Sequence, residues 1–348
     1  MTGDFSPSVH EPLTTKEGWR RFVHRCDEPP GLSPVSQLGK GDNDDLRLRY
    51  HSRLAIVATP TVSTVTRTGR RLTVLNQHQI SAKRGLIITG AAGTGKTTAI
   101  TEFGKAHELA VYRRHPEDQS RIPVVYVTVP PAATPRMLAV EFARFLGLPV
   151  TQRANITDIT NAVCGVLVDT RCELVLVDEI HNLNLATRSG AEVSDQLKYF
   201  SERLPATFVY AGIDAEHTGL FSGTRGRQIA SRFATIATRP FARSTVQQRQ
   251  EWQALVTTLE QTLRLRKHKP GMLTAMDDYL HDRTGGMIGS LSHLIRGASV
   301  DAIITGDEKI TKAHLEAVQL DHAAEQHRVS SMTRNGRKRN VSKKAASA

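Results

Sequence analysis

The chain has 348 residues, 39% of them apolar and only 5% aromatic, with a formal net charge of +12, enough length for an α/β core plus a smaller appended domain and enough positive charge to suggest an anionic partner larger than a nucleotide. No apolar run reaches about 18 residues, and Met1-Thr2-Gly3-Asp4-Phe5 lacks the basic and apolar segments of a signal peptide. Cys26, Cys164 and Cys172 form no C-x-x-C pair and are odd in number, which argues against a zinc site and a disulfide framework; a soluble, cytoplasmic protein with no membrane partner is expected.

Residues 1–45 read as a partly disordered N-terminal extension, mixing Pro12, Pro29, Pro30 and Pro34 with a short helix predicted over 14–26 and opened by a Thr14…Glu17 capping box. Gly39-Lys40-Gly41-Asp42-Asn43-Asp44-Asp45 reads as a linker. From 46 to about 82 a helical approach carrying Arg53 and Leu54 precedes Thr59-Pro60 and a Thr-rich stretch of undefined structure. From about 83 to 240 strands and helices alternate, which implies a doubly wound parallel sheet.

The core opens with Gly85-Leu86-Ile87-Ile88-Thr89, a short apolar run that reads as a buried strand. Directly after it, Gly90-Ala91-Ala92-Gly93-Thr94-Gly95-Lys96-Thr97, continuing into Thr98, fits the phosphate-cradling pattern G-x-x-x-x-G-K-[ST]. Its glycines let successive backbone N–H groups point at phosphates, and a helix starting near Lys96 adds its positive end. Lys96 then reaches the β- and γ-phosphates of ATP, and the Thr97 hydroxyl ligates Mg²⁺.

Val124-Val125-Tyr126-Val127-Thr128-Val129 is a second strand, followed by a helix with Thr134 as cap, Pro135 first, and Leu138, Phe142, Phe145 and Leu146 before Gly147. Ile159, Val163 and Val166 mark another amphipathic helix. Cys172-Glu173-Leu174-Val175-Leu176-Val177-Asp178-Glu179 then reads as a strand buried on both faces that delivers two acids at its carboxyl end. Asp178 holds the metal through water and Glu179 polarises the attacking water; acids after a strand also cap helices. His181 has no ligand-spaced partner and reads as a positioning or core residue.

Val193, Leu197, Phe200 and Leu204 mark a helix, and Thr207-Phe208-Val209-Tyr210-Ala211-Gly212 a further strand. Beyond Pro240 the pattern turns helical only, with Trp252, Leu255, Val256 and Leu259, then 272–279, then Ile288, Leu291, Leu294 and Ile295, then Leu315 and Val318. That change sets a helical lid over 241–325. Residues 326–348 carry Arg328, Arg334, Arg337, Lys338, Arg339, Lys343 and Lys344 with no acid after Glu325. This tail reads as disordered, either merely solvated or contacting nucleic-acid phosphates without sequence preference.

An α/β phosphate-loop core followed by a helical lid is similar to the AAA+ ATPases. More narrowly, Asp178-Glu179-Ile180-His181-Asn182-Leu183, the helix with Leu197 and Lys198, the strand ending Ala211-Gly212, and Gln228-Ile229-Ala230-Ser231-Arg232-Phe233 resemble the TniB/TnsC family of transposition ATPases over about 46–320. The resemblance implies assembly on duplex DNA as an ATP-bound homo-oligomer or filament, recruitment of a transposase alongside a target-selection protein, and disassembly on hydrolysis. It also makes Arg232 the arginine finger of a neighbouring subunit's site, a permanent planar cation suited to charge spreading over the γ-phosphoryl oxygens, with Arg225 and Arg227 as competitors.

Two positions depart from that pattern. Ile213, with Asp214 beside it, stands where the family places a small polar residue, and Gly285-Gly286-Met287-Ile288-Gly289 lacks the second sensor arginine. Hydrolysis that is slow or partner-stimulated is therefore expected. DNA-facing loops make Arg136 and Arg153 candidates for backbone contact. Two other readings of the chain are a STAND-type signalling or defence ATPase, which is usually longer, and a replication initiator or helicase loader, which favours an added winged-helix reader.

Overall fold

A computed structural model describes residues 11–25, 29–30, 42–53, 57–80, 82–183, 188–215, 231–321 and 324–325. Helices α1 (Lys16–His24), α2 (Asp42–Ser52) and α3 (Pro60–Asn76) come first. They are followed by β1 (Gly85–Thr89), α4 (Lys96–Arg114), β2 (Val124–Thr128), α5 (Pro135–Leu146), α6 (Ile156–Asp169), β3 (Leu174–Asp178), α7 (Arg188–Arg203), β4 (Thr207–Gly212) and β5 (Phe233–Ala237). Helices α8 (Val246–Gln261), α9 (Asp277–Thr284), α10 (Ile288–Ile304) and α11 (Lys312–Ala317) complete the described chain.

All five strands run parallel in the order β2-β3-β4-β1-β5. Parallel pairing forces each crossover over a face of the sheet, so β1, β3 and β4 are buried along their whole length and read as unbroken apolar runs. The same pairing brings every strand's carboxyl end to one edge. There β4 lies between β1 and β3, so the loop leaving β1 and the acids ending β3 are about 10 Å apart, two strand spacings.

The described residues divide into two compact units, one within Asp4–Arg25 and Ala58–Thr238, the other within Cys26–Val57 and Arg239–Ala348. Helix α1 belongs to the sheet unit, where Trp19 is buried in the main apolar core. Its cap is Thr15, whose hydroxyl accepts from the Gly18 N–H at 3.1 Å, one residue later than the Thr14…Glu17 box expected from sequence; Glu17 instead pairs with Lys16. The stretch 60–76, left undefined by its sequence, is the 17-residue helix α3, with Thr59 capping the Val62 N–H and Pro60 in the first turn.

The other unit is helical, packed around Trp252, Val256, Leu280, Leu291, Leu294 and Ala298. Residues 42–45, expected as linker, begin α2. Arg47 on that helix is fully buried and paired at 2.7 and 2.8 Å with both oxygens of Glu308, while Asp44 accepts from Arg47 and Arg266. The 272–279 stretch is a 3₁₀ turn, Thr274–Met276, before α9 rather than one helix.

Candidate functional site

After β1 the chain turns through Gly90-Ala91-Ala92-Gly93-Thr94-Gly95 into α4. Gly90 has φ +144°, and a Cβ there would lie 2.2 Å from the Thr238 carbonyl oxygen, so the loop closes onto the end of β5 only because this position is glycine. Thr238 holds the loop from that side. Its N–H donates to Thr89 O at 2.7 Å, and its hydroxyl sits 2.6 Å from that of Thr94.

Gly95 precedes α4 and offers no side-chain cap, so the first N–H groups of the helix and its positive end face the loop unscreened. Lys96 is buried, and its ammonium donates to the carbonyls of Gly90 at 2.9 Å and Ala91 at 2.7 Å. No carboxylate of the described residues lies within ion-pairing distance of it. Burial lowers its pKa, opposed by the more distant charges of Asp178, Glu179 and Asp214. A buried ammonium satisfied only by neutral carbonyls, in the loop that leads into the uncapped N-terminus of α4, fits an anion.

The other half of the site comes from β3. Asp178 is buried, and its Oδ2 accepts from the Thr97 hydroxyl at 2.7 Å and the Tyr126 hydroxyl at 3.0 Å, while Oδ1 accepts from the Glu179 N–H at 2.9 Å. Hydroxyl and carboxylate thus converge at the mouth of the loop. These are hard oxygen ligands of the kind Mg²⁺ takes when most of its remaining positions go to water and phosphate, so the residues present fit a magnesium–nucleotide pair.

Glu179 adopts a left-handed backbone, φ 57°, and its side chain is half-exposed. Its Oε2 lies 3.2 Å from His181 Nε2, and His181 Nδ1 accepts from the Ile213 N–H at 3.3 Å. With Nδ1 an acceptor, Nε2 carries the proton facing Glu179. The imidazole therefore ties the acid after β3 to the loop after β4. Asp214 follows with φ 43°.

The sequence-derived set Gly90 to Thr98, Asp178 and Glu179 is gathered at this one edge. Arg232 is not. It immediately precedes β5, where its carbonyl accepts from the Gly85 N–H at 3.0 Å at the beginning of β1, roughly 17 Å of strand from the loop. Arg136 donates to the carbonyls of Ala154, Thr151 and Gln152 and so closes the α5–α6 loop; Arg153 is exposed. Arg225, Arg227 and the 326–348 tail lie outside the described residues. Sequence reading passed over Tyr126 and Thr238. For Tyr126 a signal existed, since a phenol in an otherwise apolar buried strand needs a hydrogen-bond partner.

The sequence matches the bacterial TniB protein family over residues 50–243. The chain belongs to the TniB family. Among solved structures it resembles the ORC1 protein of Aeropyrum pernix in complex with DNA, with a TM-score of 0.57 at 15% identity, covering 73% of this chain and 63% of that one. The ORC2 protein of the same organism gives 0.57 at 18% identity in its ADPNP–ADP complexes, covering 73% and 65%. Its ADP form gives 0.57 at 19% identity, covering 77% and 70%. The TniB chain thus spans less than two thirds of the first two proteins' length, and at these identities the likeness speaks for the AAA+ fold alone. No curated protein matches the sequence. Among the described residues no helix is long and apolar enough to cross a membrane.

Proposed function

We propose that this TniB protein is a cytoplasmic, ATP-dependent regulator of DNA transposition. Bound to ATP it assembles on duplex DNA as a homo-oligomer or filament and meets a transposase and a target-selection protein; hydrolysis releases it. The observation that carries the reading is the convergence of Lys96, Thr97, Asp178 and Glu179 at the carboxyl edge of the sheet in a chain of this family.

In this account the N–H groups of 90–98 and the α4 terminus bind the phosphates. The Lys96 ammonium leaves its two carbonyls for the β- and γ-phosphate oxygens. Thr97 and Asp178 hold Mg²⁺, which when bound neutralises phosphate charge. Glu179, oriented by His181, accepts the proton of the attacking water. Ile213 contributes only its backbone N–H to this arrangement, which supports hydrolysis that is slow until a partner adds a missing polar group. Arg232, too far from the loop of its own chain, serves the site of the next subunit, where a guanidinium is worth about 10³–10⁵ in rate in comparable enzymes.

The excess positive charge lies heavily after Glu325, and phosphate contacts from such a tail carry no base information. Binding of the full chain and of a chain lacking 328–348 to two unrelated duplexes, across a salt series with ATP, tests the DNA half of the proposal. Full-length protein is expected to bind both duplexes alike, more tightly with ATP than with ADP. The dependence of log K on log[salt] is expected to flatten on truncation by up to about 0.9 per lost contact. Absence of ATP-dependent DNA binding by the full chain overturns it.

A further inference from the structure

Among the described residues the carboxylate of Asp178 is held by three donors, and one of them belongs to no recognised motif. Tyr126 lies on β2, whose register sets Tyr126 beside Leu176 and Thr128 beside Asp178. Its ring reaches along the sheet so that the hydroxyl meets Asp178 Oδ2 at 3.0 Å. Thr97 also donates to Oδ2, but it is itself assigned to the metal. Tyr126 and the Glu179 N–H are therefore the donors to the carboxylate on which metal binding does not draw.

Behind Tyr126 stands α1, from the start of the chain. The Trp19 indole stacks on the Tyr126 ring, with centroids 5.9 Å apart and planes 12° from parallel. Its N–H donates to Glu108 Oε2 on α4 at 2.6 Å, the helix that begins with Lys96 and Thr97. The approach depends on Gly104 of α4, where a Cβ would lie 2.8 and 2.9 Å from two indole carbons. Trp19 is 1% exposed and Tyr126 5%, so neither ring can shift without opening the core.

We propose that Tyr126 is a positioning residue for the metal-binding carboxylate Asp178, and that α1, through Trp19, holds Tyr126 in that position. This rests on the reading that Asp178 holds Mg²⁺. A donor behind a metal-binding carboxylate fixes its orientation, and removing such a partner costs about 10–100-fold in metal affinity in other proteins. Helix α1 thereby becomes part of the nucleotide site without touching the nucleotide, and its undocking weakens metal-dependent binding of ATP.

The test uses the full chain and a fluorescent ATP analogue, with binding followed by anisotropy in a Mg²⁺ titration and again in EDTA. Tyr126→Phe removes one oxygen and keeps the ring under Trp19; it is expected to raise the half-saturating Mg²⁺ concentration about tenfold and to leave binding in EDTA unchanged. Trp19→Phe is expected to raise that concentration in the wild-type background and to add nothing in Tyr126→Phe, because both act through one contact. Asp178→Asn must shift it at least as far as Tyr126→Phe. Wild-type Mg²⁺ dependence in Tyr126→Phe beside a shifted Asp178→Asn makes Tyr126 a core residue only and overturns the proposal. Additive Trp19 and Tyr126 effects overturn the part played by α1. An unshifted Asp178→Asn overturns the metal assignment together with the proposal.

Discussion

His181 Nε2 lies 3.2 Å from Glu179 Oε2 while His181 Nδ1 accepts the Ile213 N–H at 3.3 Å. The residue proposed to polarise water is thus steered by a ring anchored to the loop after β4. Glu179 is half-exposed in a left-handed backbone, and among the described residues the imidazole is the one group paired with its carboxylate.

His181→Ala frees that carboxylate without touching the phosphate loop. Turnover is expected to fall about tenfold or more, part of the 10²–10⁴ that a positioned general base supplies, with ATP affinity within about twofold of wild type. Steady-state hydrolysis and equilibrium ATP binding measured together check this; equal losses in both would make His181 a structural residue only.

Glu108 supplies a pH dependence. Burial pushes its carboxyl up to about 7, against the Trp19 N–H, the charge of Arg20 and the Tyr112 hydroxyl, which lower it; Cys172 faces it as well, feeling the Glu108 charge. Folding therefore favours the protonated acid. Its contribution to the stability of the sheet unit is fully present below the unfolded value near 4.5 and is lost as pH rises through about 7, by about 3 kcal/mol in all. Urea midpoints at pH 5.5 and 8 are expected to fall further for wild type than for Glu108→Gln, which keeps an acceptor for Trp19 without the charge. An equal fall in both proteins contradicts the assignment.

What the sequence made legible was local. The phosphate loop and the acids ending β3 are contiguous patterns whose chemistry survives without knowledge of the fold. The strand β5 was not foreseen, because Phe233-Ala234-Thr235-Ile236-Ala237 is short, interrupted by Thr235 and half-buried at most at the sheet edge beside β1, so it shows neither an unbroken apolar run nor a clean alternation. Helix α3 hid behind Thr61, Thr64, Thr66, Thr68 and Thr73, poor helix formers whose cost is offset by burying Val65, Gly69, Leu72 and Asn76 on one face. In the site itself, Tyr126 and Asp178 are 52 residues apart, and only strand register brings them together.

Arg232 carries a prediction about assembly. Standing at the far end of β1 from the loop, it can reach a γ-phosphate only in another copy of the chain. Arg232→Ala alone is expected to lose most turnover and keep ATP binding. Mixed with Lys96→Ala, after subunit exchange has been demonstrated, it is expected to regain part of that turnover, since some interfaces then pair an intact loop with an intact arginine. Unchanged turnover in Arg232→Ala removes it from the reaction.

The central claim is that the loop after β1 and the acids after β3 form one site that binds ATP and hydrolyses it. Glu179→Gln separates the two acts, because the amide preserves shape but no longer takes a proton from water. ATP binding and turnover of this variant, measured beside wild type and Lys96→Ala, test the claim most directly. Lys96→Ala is expected to lose binding. Glu179→Gln is expected to bind ATP as wild type does while turnover falls by about 10²-fold or more. Wild-type turnover in Glu179→Gln would contradict the account.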